Sequence, residues 1–435
     1  MNFTGKKLLV LGTSVGSVEI VQYAKSKGAY VIVTDYLPKE KSRAKEFADQ
    51  CEMISTTDVA ALIEFAKKEK IDGVFCGVSE TNLLSVKAIA NELGLHCYFT
   101  DEQWNLCQNK ENFKQLCNQF DIPVPKDYSF AIVDGEVKVE NISFPVIVKP
   151  VDQGAGIGIT ICYNEEELLR AYRHAVDCSK SKKALIEEYV IGDEFSVTYT
   201  IKDHVVSVSC AKDKLFTEDY SPVFSQFDAL VMPSSNMTKY MKEINPKVEQ
   251  LFKHIGTEYG SVMLQGVVRN GEFRFFEMCY RVNGGSDYRH IEKENGINYL
   301  HMLVDYALTG KATDFDLTKD NPFFSKYYLT FIIYAHGGII GTLEGAEKVQ
   351  ELPNVISVEW LRKIGDEVLD DKTLGQRVFR AYISDDNIES IQTTIMNIQK
   401  AIKVEDINGK NMLYKKFNVE RLNKYKKGEA KCLQR

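Results

Sequence analysis

A chain of 435 residues exceeds what one ordinary core holds, so two to three domains are expected. Its hydrophobic share of 44% and charged share of 26% are ordinary for a globular protein, and a net charge of −7 argues against a general nucleic-acid binder. No apolar run approaches the roughly 18 residues of a membrane span, and Met1 to Lys7 leads into a strand without a secretory apolar region. Ten cysteines are scattered singly, with no C-x-x-C pair and no metal-type spacing, which suits a reducing compartment. The expectation is a cytoplasmic protein that binds neither nucleic acid nor membrane.

From Lys7 to about Thr100 strands and helices alternate. Leu8-Leu9-Val10-Leu11 is a continuous apolar run of the kind buried on both faces of a parallel sheet. Gly12 and Gly16 then open a helix carrying Val18, Ile20, Val21 and Ala24. Tyr30 to Asp35 reads as a second strand, and Gly73 to Cys76 follows a helix with apolar positions at Leu62, Ile63 and Ala66. This is a doubly wound, Rossmann-like α/β unit, residues 1–105. Asp35 would suit the ribose of a nicotinamide cofactor, but Gly12-Thr13-Ser14-Val15-Gly16 lacks the G-x-G-x-x-G spacing and reads as a tight strand-to-helix turn. Glu80 stands after Gly77-Val78-Ser79 at the carboxyl end of a strand. It either faces a ligand there or complements a helix N-terminus.

A second unit spans 106–318. Lys110 to Phe120 reads as a helix, ended by Ile122-Pro123-Val124-Pro125. Phe144 to Pro150 is a strand containing Lys149, and the loop after it carries Gly154, Gly156 and Gly158. Ile159 to Cys162, Ala184 to Val190 and Glu194 to Ile201 are further strands, with a helix over Glu165 to Ala175. Lys212 and Lys214 either reach phosphate or substrate or lie in a surface loop before Pro222. Gln265 to Arg281 reads as two strands joined by Asn270-Gly271, the strongest short hairpin signal. That hairpin brings Gln265, Glu277 and Arg281 to one end. An oxygen ligand, a carboxylate and a cation there suit a magnesium ion bridging ATP phosphates.

From 319 to 435 the pattern becomes a small α+β piece. Tyr328 to Tyr334, Val355 to Val358 and Arg377 to Tyr382 read as strands, and Ile388 to Ile402 as a helix. Beyond Met412 the chain is basic and weakly apolar, which reads as a frayed tail.

Four features thus fall in one order: Lys110, then Lys149 with its glycine loop, then Glu187 to Val190 with Glu194, then the Gln265/Glu277/Arg281 hairpin. Lysines neutralise phosphate oxygens, glycines let backbone N–H groups approach them, and a strand edge can pair with adenine. In this order and spacing the chain resembles the ATP-grasp superfamily, particularly its carbamoyl-phosphate synthase large chains and bacterial L-amino-acid ligases. The resemblance implies a preceding α/β domain, a two-lobed grasp domain whose lid lobe spans about 142–212, and a small C-terminal domain. It implies that Lys110 and Lys149 contact the nucleotide phosphates, and that Gly154, Gly156 and Gly158 form the lid loop. Glu187, Tyr189 and Val190 would make the adenine linker, Glu194 would bind ribose, and Gln265 and Glu277 would hold Mg²⁺, with Mn²⁺ as an alternative. Arg281 and Lys149 would be the catalytic cations. Glu80, Gly284, Gly285, Ser286 and Arg289, with Asp287 and His290, are candidate substrate contacts. Glu188 alternates with Glu187 and points to the opposite face.

Cys279 departs from the family's Glu-x-Asn-x-Arg pattern, since Glu277-Met278-Cys279-Tyr280-Arg281 puts a soft sulfur where the asparagine oxygen stands. The implied activity is an ATP-dependent carboxylate–amine ligase working through an acyl-phosphate on a small carboxylate such as an amino acid. The alternative is an ATP-binding protein with lost or regulatory catalysis. A homodimer is the default for an enzyme of this size.

Overall fold

The computed structural model describes residues 1–134, 136–153, 156–217 and 226–426. The first four strands form a parallel sheet in the order Gln50–Glu52, Tyr30–Thr34, Lys7–Leu11, Gly73–Cys76. Leu8, Leu9, Val10 and Leu11 are fully buried, as a strand covered on both faces requires. The helix Ser17–Ser26 starts after Gly16, whose φ of 87° is open to glycine at little cost, and it buries Ile20, Val21 and Ala24. Asp35 lies 3.1 Å from Lys45 and accepts hydrogen bonds from Ser42 and the Leu37 amide. Its carboxylate folds the loop that follows, which removes the basis for a nicotinamide ribose contact.

Ser79 caps the helix Glu80–Leu93 by accepting from the Asn82 amide. Thr100 and Gln103 form a capping box on the helix Asp101–Gln108, and Asn109 caps Lys110–Gln119. The strand Val146–Pro150 is central in an antiparallel three-stranded sheet, flanked by Thr160–Cys162 and Ala184–Glu188. The helix Glu165–Cys178 covers it, burying Leu168, Ala171 and Ala175 with Val146, Val148 and Ile186 in a small separate core.

The largest element is an eight-stranded antiparallel sheet. Its order is Glu272–Cys279, Gly260–Arg269, Asp193–Lys202, Val205–Phe216, Phe227–Met232, Tyr327–Tyr334, Arg377–Asp385, Val355–Trp360. The C-terminal strands therefore extend the same sheet that carries the Gln265/Glu277 hairpin. The strand Val205–Phe216 overturns the surface-loop reading of Lys212 and Lys214. Its polar residues face partners inside the sheet layers, so the apolar alternation that marks a strand is hidden. The tail reading is also corrected up to residue 426. Phe417, Leu422 and Tyr425 are buried, Val419–Tyr425 forms a 3₁₀ helix, and the Tyr425 hydroxyl donates to Asp213. No helix among the described residues is long and apolar enough to cross a membrane.

Candidate active site

The hairpin turns as its sequence requires, with Asn270 at φ 52° and Gly271 at φ 77°. Its register sets Gln265 directly opposite Glu277, and Met263 opposite Cys279. The Gln265 amide donates to the Glu277 carboxylate at 2.8 Å and lies 3.9 Å from the Cys279 sulfur. Lys110 approaches the other Glu277 oxygen at 3.9 Å and donates to the Gln153 carbonyl. Arg281 donates through Nε to Glu80 at 3.0 Å, so Glu80 does face the hairpin end. Cys279 is buried, and burial together with the Glu277 charge pushes its thiol up to about 12.

The donor set can be tested against a magnesium ion. Glu277 supplies a carboxylate and Gln265 an amide oxygen once its terminal amide turns over, an assignment that the hydrogen-bond pattern alone decides. Nucleotide phosphates would complete such a shell of hard oxygens. The Cys279 sulfur is a poor partner for that ion. The residues fit a metal held chiefly by Glu277, Gln265 and phosphate.

On the three-stranded sheet Lys149 contacts Glu187 at 2.8 Å, and Lys114 from the helix Lys110–Gln119 contacts the same carboxylate at 3.1 Å. All three side chains are buried. Burial pushes Glu187 upward, but Lys149 and Lys114 outweigh it and hold the carboxyl below its ordinary range. Glu188 is less buried than Glu187, as their alternation requires. Lys114 escaped sequence reading, although it lies one helical turn beyond Lys110 and so on the same face. The Lys110 amide hydrogen-bonds the Val151 carbonyl at 3.3 Å, which ties this lysine to the chain just past Lys149. Glu194 pairs with Lys214 at 2.7 Å, and Ser196 on the same strand lies opposite Gln265. The Tyr189 amide donates to the Pro145 carbonyl; Val190, beside it, is partly exposed. Gly156 and Gly158 both take positive φ, and a side chain at Gly158 would strike Pro150 and Cys178. Gly154 lies outside the described residues.

The residues after Arg281 divide into two groups. Asp287 is fully buried and accepts from Lys212 at 2.5 Å, Thr198 at 2.6 Å and Asn283 at 2.5 Å, with Tyr299 as a further donor. Burial opposes its charge, yet Lys212 and the other donors hold it down to about 2. Burial likewise depresses His290 to about 3, keeping it neutral beside Thr330. Both are framework residues rather than exposed contacts. Gly284 faces open space, while Gly285 is packed against Leu230 and hydrogen-bonds Asn283. Ser286 sits at φ 53°, a left-handed conformation held by the surrounding contacts. Arg289 pairs with Glu19, donates to Ser357 at 3.1 Å and lies over the Tyr382 ring at 4.5 Å.

Comparison with known proteins finds likenesses in both sequence and fold. Residues 116–279 match the family model described as the D-ala D-ala ligase C-terminus. The chain is 23% identical over 368 residues to the carbamoyl phosphate synthase large chain of Clostridium beijerinckii (strain ATCC 51743 / NCIMB 8052), covering 80% of this chain and 32% of that protein. It thus spans about a third of that relative's length. The L-amino acid ligase of Bacillus licheniformis superposes with a TM-score of 0.75 at 17% identity, over 93% of this chain and 99% of that one. A biotin carboxylase domain of Hydrogenobacter thermophilus 2-oxoglutarate carboxylase, solved with MgADP, ADP and bicarbonate, gives 0.73 at 18% identity over 92% of this chain and 90% of that one. The chain is similar to carbamoyl phosphate synthase large chains in sequence and to an L-amino acid ligase in fold.

Proposed function

We propose that the protein is an ATP-dependent ligase joining a small carboxylate, such as an amino acid, to an amine. The observation that carries this is the meeting of Lys110, Glu277, Gln265, Arg281 and Glu80 at one hairpin end. A carboxylate oxygen attacks the γ-phosphorus of ATP and the bond to ADP breaks, leaving an acyl-phosphate. The amine then attacks the acyl carbon, phosphate leaves, and the amine proton passes to solvent. Lys149 and Lys110 would hold phosphate oxygens, and Gln265 with Glu277 would hold Mg²⁺, which supplies charge neutralisation on those phosphates. Gly156 and Gly158, with Gly154, would close over the phosphates; Glu187, Tyr189 and Val190 would border adenine, and Glu194 the ribose. Arg281 would face the charge that develops on the transferred group, a task of preorganised electrostatics.

Binding first requires rearrangement, because the cations are engaged by protein carboxylates. Lys149 is held by Glu187, Lys110 approaches Glu277, and Arg281 is held by Glu80. Phosphate oxygens would compete for the same donors. Coupled ADP release with Mg²⁺-ATP and pooled amino acids, dipeptides and simple carboxylates tests the reading. Pool-dependent ADP is expected, and ADP formation that ignores every pool would contradict it.

A second reading, nucleotide binding with lost or regulatory catalysis, is favoured by the buried Cys279 beside Gln265. The substitution Cys279→Asn restores an oxygen donor at that position. We expect it to tighten Mg²⁺ in the presence of ATP by about tenfold, the scale of one good interaction. Metal titration by calorimetry reads this, and unchanged affinity would show that position 279 lies outside the metal's reach. If turnover appears only in the variant, the regulatory reading replaces the ligase.

A further inference from the structure

Arg380 lies in the middle of the strand Arg377–Asp385 and is completely buried. A guanidinium removed from water needs partners for its charge and for its N–H groups. Nη1 has them: it donates to Ser286 at 3.2 Å and to the Tyr382 hydroxyl at 3.0 Å, and Glu359 lies 3.4 Å away. Nε and Nη2 have no hydrogen-bond partner among the described residues. Those two nitrogens form one edge of the guanidinium, whose parallel N–H bonds match the two oxygens of a carboxylate or phosphate.

The surrounding charge also asks for an anion. Arg289 shares Glu359 with Arg380 and pairs with Glu19, while Arg377 donates only to the Leu374 carbonyl among the described residues. Among the described residues, the ion pairs of these three guanidinium groups involve two carboxylates, Glu19 and Glu359. Burial and the charge of Arg380 lower Arg377 to about 10. Ser286, which Arg380 holds, lies five residues beyond Arg281 on the loop leaving the hairpin, with the open Gly284 between them.

We infer that the Nε–Nη2 edge of Arg380 receives an oxyanion of the acceptor substrate, a carboxylate or a phosphate separate from the group being activated. This rests on the ligase reading for the word acceptor, though the anion site itself does not. The substrate class becomes a molecule with at least two anionic or activatable ends, one presented to Arg281 and the other anchored at Arg380. Arg289, stacked on Tyr382 and fixed by Glu19, acts as a positioning residue that keeps Tyr382 and Glu359 against Arg380.

The test titrates the full chain, with and without Mg²⁺-ATP, with succinate, inorganic phosphate or chloride at matched ionic strength, reading thermal unfolding. Succinate or phosphate should stabilise the wild type saturably and chloride should not; the tighter of the two names the anion. In R380K, which keeps the charge but loses the fork, the response should weaken about tenfold or more, the worth of one charge-assisted hydrogen bond. An equal response in R380K overturns the assignment. Crystals of the wild type soaked in selenate give a readout that no variant's folding can confuse. An anomalous peak within hydrogen-bond distance of Nε and Nη2 is expected, and its absence there overturns the site. ATP stabilisation with no anion response would sink the anion site and leave the ligase reading standing. An anion response without ATP stabilisation would do the reverse.

Discussion

Glu277→Gln is expected to lower ATP turnover by about 10²–10³-fold, the usual effect of removing one preorganised electrostatic contact from a transition state. Glu277 is the carboxylate of the Gln265/Glu277/Cys279 trio, its neighbours offering an amide and a thiol. The amide that replaces it keeps the volume and can still accept from Gln265, so the fold should be undisturbed. What disappears is the negative charge that Lys110 faces and that a divalent cation would share. Nucleotide binding by itself should weaken less than turnover, because Lys110 and Lys149 remain. Steady-state ADP release in parallel with ATP-dependent thermal stabilisation separates the two quantities. Wild-type turnover in this variant would remove Glu277 from the chemistry.

The largest expected effect on stability belongs to Asp287→Ala, at about 3–5 kcal/mol, the range for breaking a buried ion pair on one side. Lys212 would then keep a charge inside the protein with no carboxylate, and Thr198, Asn283 and Tyr299 would lose their common acceptor. Denaturant unfolding reads the loss, and the double change with Lys212→Met should recover much of it, since the stranded charge goes too. The pH dependence has a definite sign. Asp287 is held at about 2 in the folded protein against an ordinary 3.8, so its contribution is complete above the ordinary value and is lost as pH falls toward 2. The Asp287→Ala protein should therefore show a shallower acid limb than the wild type over that window. Identical acid limbs would assign the acid sensitivity to other carboxylates.

How much of this was legible in the sequence depended on whether the signal was local. The Asn270-Gly271 turn fixes the register only from Arg269 opposite Glu272 to Gly266 opposite Phe275. Counting on would set Gln265 opposite Phe276, and a bulge at Gln265/Gly266 brings Glu277 there instead, so the shared hairpin end was legible and the facing pair was not. The parallel sheet was equally readable, because Leu8 to Leu11 is apolar throughout and bounded by glycine. Val205–Phe216 was not readable. Ser209 bonds Thr200 and Asp320, Lys212 bonds Asp287, and Asp213 receives Ser234 and Ser235, so buried polar pairs stand where apolar residues would announce a strand. The packed end of the chain was hidden similarly, its few apolar residues Phe417, Leu422 and Tyr425 being diluted by lysines that face outward. Within the site, the partners of each cation come from distant segments. Glu80 for Arg281 and Glu187 for Lys149 could not be paired from spacing. One unread signal was present: an arginine at position 380, between the apolar Val378, Phe379, Ala381 and Ile383, is a costly residue to bury, and that cost itself points to a partner.

The central claim is that ATP activates a carboxylate at the hairpin end. It is tested most directly by supplying an amino-acid and simple-carboxylate pool labelled with ¹⁸O in its carboxyl groups and weighing the phosphate released with ADP. Transfer of one ¹⁸O atom per phosphate, absent in Lys149→Ala, is the predicted result, because the acyl-phosphate leaves one carboxylate oxygen on phosphorus. ADP accompanied by unlabelled phosphate, in the same amount with and without the pool, would contradict the account.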